Sequence, residues 1–146
     1  MTNKHSTLIR NIYLIGALLS FIILIQSCAR KISFQTSSVV PAAEGSVKVK
    51  KDKNNNYAID LNVIRLADPK RLSPPKEIYL VWIDTENNGP KSIGQLKTSS
   101  GMFSSALKSS LNTVTAFKPV RIFITAEDNA TVLYPGSQTV LYTSNF

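Results

Sequence analysis

From residue 44 onward, short runs of alternating apolar and polar positions are broken by Gly, Pro, Asn or Asp. The breaks come roughly every 8 to 12 residues, the rhythm of a β-sandwich. Tyr57-Ala-Ile59-Asp-Leu61-Asn-Val63 is the clearest run, and its period of two predicts a half-buried strand. It follows Lys48–Lys53 and Asn54-Asn55-Asn56, where Asn tolerates left-handed backbone, so the two runs predict a hairpin. Asp68 to Pro75 holds Pro69, Pro74 and Pro75 and predicts a loop without regular structure. Ile78-Tyr-Leu-Val-Trp-Ile83 is β-branched, aromatic and apolar on both faces, which predicts a central strand. Glu86 to Pro90 is a turn, Ser92 to Leu96 a return strand, and Ser99-Ser100-Gly101 a further turn. Val120 to Thr125 predicts a second strong strand. Asp128-Asn129-Ala130 and Pro135-Gly136 predict turns, and Thr139 to Thr143 a closing strand.

Residues 102–117 fit two patterns. Phe103, Leu107 and Leu111 make a helical stripe, whereas Phe103, Ser105 and Leu107 share one face of a strand. Their Ser and Thr content argues against a long helix, so a short strand followed by a loop or helical turn is expected. No long amphipathic helix separates the strands, as a parallel sheet would need. The expected fold is an all-β antiparallel sandwich of seven to eight strands spanning 44–146. Trp82, Tyr79, Ile83, Ile122 and Ile124 are its expected structural core, with Trp82 between the sheets.

The N-terminus has a different pattern. An uncharged, mostly apolar run follows Lys4 and Arg10 and ends in Ile25-Gln26-Ser27-Cys28. A basic head, a short apolar middle and a small residue before the cut are the layout of a secretory signal. Cys28 is the chain's one Cys and sits at that signal's end. The segment resembles the lipobox of bacterial lipoproteins, whose chains are cut before the Cys and acylated on its thiol and new amino group. An uncleaved membrane anchor stays open: the residues from Asn11 to Ala29 are all uncharged, about the shortest run that spans a bilayer. Either reading puts the rest outside the cytoplasm, tethered to a membrane. The expected organisation is a signal peptide at 1–27, a lipidated N-terminus and tether at 28–43, and a domain at 44–146.

Cleavage before Cys28 would remove His5, the single His, and leave 119 residues, enough for one core. With no His and no free thiol, Ser-His-Asp and Cys-His catalysis, His- or Cys-ligated zinc and disulfides are all excluded. Of the 17 Lys and Arg, loss of Lys4 and Arg10 leaves 15 against 9 Asp and Glu, a net charge near +6. Nucleic acid is not an expected partner outside the cytoplasm. The cluster Lys48 to Lys53 reads as a solvated strand end or, more sharply, as attraction to anionic headgroups or cell-wall polymers.

Residues 74–136 carry a further pattern: Pro75-Lys-Glu-Ile-Tyr-Leu-Val-Trp82-Ile, Asn88-Gly89-Pro90, Ile93-Gly94-Gln-Leu96, Phe103, Val120-Arg-Ile-Phe-Ile-Thr-Ala-Glu127 and Pro135-Gly136. This order resembles the C-terminal extracytoplasmic domain of the anti-sigma-K factor family. The resemblance implies an immunoglobulin-like sandwich. Family members also carry a cytoplasmic sigma-binding domain. Only about 11 residues precede the apolar run here, so direct sigma-factor binding is not expected.

Asp84, Glu86, Glu127 and Asp128 end the two best strands. Gathered at one loop end they would offer oxygen ligands to Ca²⁺, though without a spaced ligand loop. Solvated turn carboxylates are the expectation, with no metal, cofactor or catalytic residue assigned. A carboxylate pair for glycoside hydrolysis would need a cleft that loops this short do not build. Trp82, and likewise Tyr79, Tyr134 and Tyr142, read as packing residues with sugar stacking as the alternative. Gly94 and Gly136 read as serving backbone conformations that need no side chain. The expected protein is a non-enzymatic, lipid-anchored extracytoplasmic domain acting by surface contacts. Alternatives are an outer component of a sigma-factor regulatory system docking to a membrane partner, or a small carbohydrate- or metal-binding module.

Overall fold

The computed structural model describes residues 13–14, 30–99 and 108–146. Among these, nine strands form: β1 (Arg30–Ser33), β2 (Glu44–Lys51), β3 (Tyr57–Ile64), β4 (Ile78–Thr85), β5 (Gly89–Gln95), β6 (Lys97–Ser99), β7 (Lys108–Thr115), β8 (Pro119–Glu127) and β9 (Thr139–Tyr142). All pairings are antiparallel. One sheet has the order β1-β2-β3-β7-β6 and the other β5-β4-β8-β9. Without β1, these are the orders A-B-E-D and C′-C-F-G, so the sandwich is immunoglobulin-like.

Local chemistry explains most boundaries. At the β2–β3 turn, Asp52 Oδ1 accepts the backbone N–H groups of Asn54 and Asn56, and Asn55 takes φ 63°. These bonds, led by that from Asn56, hold the Asp52 carboxyl below its ordinary pKa. The proline-rich loop is not wholly irregular. Pro69–Arg71 forms a 3-10 turn, since Pro suits a first helical position and Asp68 caps it by accepting from Lys70 N–H. Residues 108–115 of the ambiguous stretch are strand β7, paired with β3 along its whole length. Residues 102–107, with the expected turn at 100–101, lie outside the described residues. Gly94 takes φ 143° where the β4–β5 register shifts, and a Cβ there would come within 3.0 Å of Leu111. Past this bulge the chain crosses between sheets as β5 gives way to β6, burying Leu96.

The inter-sheet core follows the period of two. Ile59, Leu61 and Val63 of β3 face Tyr79, Val81 and Ile83 of β4 and Ile122, Ile124 and Ala126 of β8, with Val47 and Leu141 completing it. Burying one such aliphatic side chain is worth about 1.5–3 kcal/mol. Tyr79 is buried and donates its hydroxyl to Ala67 O, fixing the β3–β4 connection to the core. Burial, with the nearby Asp68 carboxylate adding to it, pushes the Tyr79 phenol up to about 12.

Two expectations need correction. The segment expected as a tether up to residue 43 is part of the sandwich from Arg30 onward. β1 pairs with β2, Phe34 then bridges to Thr143, and Gln35 N–H donates to Tyr142 O beside the opposite sheet's edge strand. Ser37 Oγ accepts from Val40 N–H, and Val40 and Ala43 are buried in the core. This segment therefore spans an open side of the sandwich, which free β2 and β9 edges would otherwise expose. The second correction concerns Trp82. It is buried, 1 % exposed, but not between the sheets. It lies on the outer face of β4 in a separate cluster with Leu80 and Phe123, flanked by Ile78 and Val132.

Candidate contact groove on the outer sheet

The outer face of β4 and β8 is built from the alternate residues that the core does not use. Register sets Ile78 opposite Glu127, Leu80 opposite Thr125, Trp82 opposite Phe123 and Asp84 opposite Arg121. The β8–β9 connection covers the first part of this face. Its attachment is a relay of hydrogen bonds. Trp82 Nε1–H donates to Thr125 Oγ1 at 2.8 Å, Thr125 donates to Glu127 Oε1 at 2.5 Å, and Gly136 N–H donates to the same oxygen at 2.7 Å. Trp82, Thr125 and Glu127 are all buried, so each polar atom needs its partner. Gly136 is required for closeness and not for an unusual φ: a Cβ there would lie 2.8 Å from the Glu127 carboxylate. That corrects the reason expected for this glycine.

Beyond the loop the face opens into a groove of about 430 Å³ lined by Asp84, Pro90, Arg121, Phe123, Pro135, Gly136, Thr139 and Tyr142. Phe123 and Tyr142 are cross-strand partners on β8 and β9, and Tyr142 is 45 % exposed. Trp82 and Phe123 stack with ring planes 12° apart and centroids 6.4 Å apart. The Arg121 guanidinium lies 5.3 Å from the Phe123 centroid, on cation–π terms, and is held to Asp84 Oδ2 through Nε at 2.7 Å and Nη2 at 2.6 Å. An exposed aromatic ring, an apolar floor and a partly exposed ion pair thus meet on one wall. Such a surface stacks a planar or apolar partner and offers it a guanidinium and a carboxylate for hydrogen bonding.

The four strand-end carboxylates do not gather. Because β4 and β8 run antiparallel, Asp84 and Glu86 lie at one end of the sheet and Glu127 and Asp128 at the other. Each has its own partner: Arg121 for Asp84, Lys118 for Glu86, Thr125 for Glu127 and Lys76 for Asp128. Among the described residues, no three His, Cys, Asp or Glu side chains cluster. Tyr134, with Leu133, stands exposed on the β8–β9 connection. Cys28 lies outside the described residues, as does all of the apolar run except Tyr13 and Leu14. No helix among the described residues is long and apolar enough to cross a membrane. Arg121 and Phe123, which make the groove, carry a sequence signal of their own: they alternate with the core residues Ile122 and Ile124, so a polar and an aromatic side chain share the strand's other face. Compared with family models, curated proteins and solved structures, the chain matches none.

Proposed function

We propose that this protein is an envelope lipoprotein: a non-enzymatic immunoglobulin-like domain, held outside the cytoplasm by acylated Cys28, that acts through contacts at the Arg121–Tyr142 groove. The observation that carries the contact role is the groove itself. Its aromatic ring and ion pair stand on a face already closed off from the core, so they are free to meet a partner without disturbing the fold. The lipid anchor draws on the sequence alone, through Cys28 at the end of a signal-like run. The non-enzymatic reading draws on a mature chain without His or thiol, and on a groove whose charged groups are already paired with each other.

A photo-crosslinking amino acid replacing Tyr142 in intact cells tests the contact role. A discrete adduct that disappears when Arg121→Gln is added, with melting unchanged, is expected. An adduct pattern indifferent to Arg121 contradicts it.

A carbohydrate-binding reading is favoured by Tyr142 specifically, since an exposed ring beside a carboxylate and a guanidinium suits a sugar face and its hydroxyls. Docking to a membrane regulator draws on the resemblance of residues 74–136 alone, because an immunoglobulin-like fold serves many functions.

A further inference from the structure

The strand order fixes at which end of the sandwich β1 begins. β1 runs antiparallel to β2, with Arg30 opposite Val49 and Ser33 opposite Ser46. The start of β1 therefore lies beside the end of β2 and its turn at 52–56. Alternation of strand direction puts the β4–β5 turn and the β7–β8 turn at this same end. Two contacts join them there: Lys118 with Glu86, and Lys91 Nζ 5.7 Å from the Phe117 ring centroid. Cys28 precedes Arg30 by two residues, so covalent geometry keeps it within about 7 Å of the start of β1.

Charge divides the same way. With the strand middles as the boundary, segments 30–31, 48–60, 82–92, 112–123 and 143–146 hold nine Lys and Arg and four Asp and Glu, a net of +5. The remainder of the domain holds six and five, a net of +1. Lys50, Lys51, Lys53 and Lys118 are exposed at this end, and Phe117, beside Lys118 in sequence and under Lys91, is 41 % exposed. Basic side chains around an exposed aromatic ring match a membrane interface, where rings sit at headgroup level. The opposite end lies about 26 Å away along an eight-residue strand, several times the Debye length of roughly 8 Å.

We infer that the end bearing the 52–56, 86–88 and 116–118 turns is a docking face seated on anionic phospholipid headgroups, which holds the β8–β9 connection away from the membrane. This rests on the proposed acylation of Cys28, which sets the anchor at that end.

The test uses the mature acylated protein, beginning at Cys28, in vesicles of phosphatidylcholine with or without about 30 % phosphatidylglycerol as the anionic lipid. Acylation blocks Cys28, so one introduced thiol takes a fluorescent probe: Ala116→Cys at the near end or Leu133→Cys at the far end. With headgroup spin-labelled lipid, strong quenching is expected at 116 and only background at 133. Quenching at 116 should fall when phosphatidylglycerol is omitted, and in the K50E/K51E/K53E variant. Equal or reversed quenching overturns the orientation, and indifference to both lipid charge and charge reversal overturns the headgroup contact. Mass analysis of the N-terminal peptide in the same sample separates the two claims. Unacylated Cys28 removes the anchor and the inference with it, whereas acylated protein quenched at 133 removes the orientation alone.

Discussion

Tyr79 and Trp82 lie three positions apart on β4, so they face opposite sides of the strand and hold different parts of the molecule. Tyr79 points into the inter-sheet core and Trp82 out under the β8–β9 connection. Trp82→Ala is expected to cost about 3–5 kcal/mol in urea unfolding, as for other buried aromatic truncations. Trp82→Phe keeps the stack on Phe123 but takes the donor from Thr125, and should cost about 1–3 kcal/mol. Native Trp82 should emit at short wavelength and resist iodide, being 1 % exposed. A freely quenched ring would contradict its cover by the loop. Tyr79 gives a pH test. Its phenol is raised in the folded state, so the stability it contributes is complete below the ordinary value near 10 and is lost as pH rises through about 12. Tyr79→Phe should flatten the stability profile over that window and remove a tyrosinate absorbance step near pH 12. A profile unchanged by the substitution would contradict the buried, bonded phenol.

The strands and their turns were largely legible in sequence, because alternation and turn residues are local. The β2–β3 hairpin, the central β4, the β4–β5 turn, β8 and β9 all fall where period two and Asn, Gly or Pro put them. What was not legible is which face of β4 is the core. Both its residue sets are apolar, and the deciding fact is a loop about 50 residues later in the chain folding back over Trp82. Nor could a Ser- and Thr-rich stretch reveal that residues 30–43 join two sheet edges, since that depends on pairing with β2 and β9. These elements give two tests. A 44–146 fragment should unfold at least about 3 kcal/mol more easily than 30–146, through loss of buried Val40 and Ala43 and the β1 pairing. Equal stability would show that β1 and its turn are an appendage. Glu127→Ala should leave Gly136 N–H and the Thr125 hydroxyl without their acceptor, cost about 1–3 kcal/mol, and shift Trp82 emission to the red. An unshifted emission would mean that the loop is held by other contacts.

At the scale of the whole molecule, the fold with its groove and the proposed anchoring come from different parts of the chain. The sandwich is specified by residues 30–146, and the groove emerges only when β4, β8 and β9 bring Asp84, Arg121, Phe123 and Tyr142 together from distant positions. The proposed anchor, by contrast, rests on a local motif, Ser27-Cys28 behind an apolar run. The two meet at β1, which begins two residues after Cys28 and is already part of the sheet, so an acyl group on Cys28, as proposed, would have little free chain between it and the domain. The proposal that this is a lipid-anchored envelope domain is tested most directly by mass spectrometry of the N-terminal peptide from cells fed a clickable fatty acid. A labelled peptide beginning at Cys28 and ending at Arg30, absent in Cys28→Ser, is the result expected; an unlabelled N-terminus still carrying His5 would contradict it.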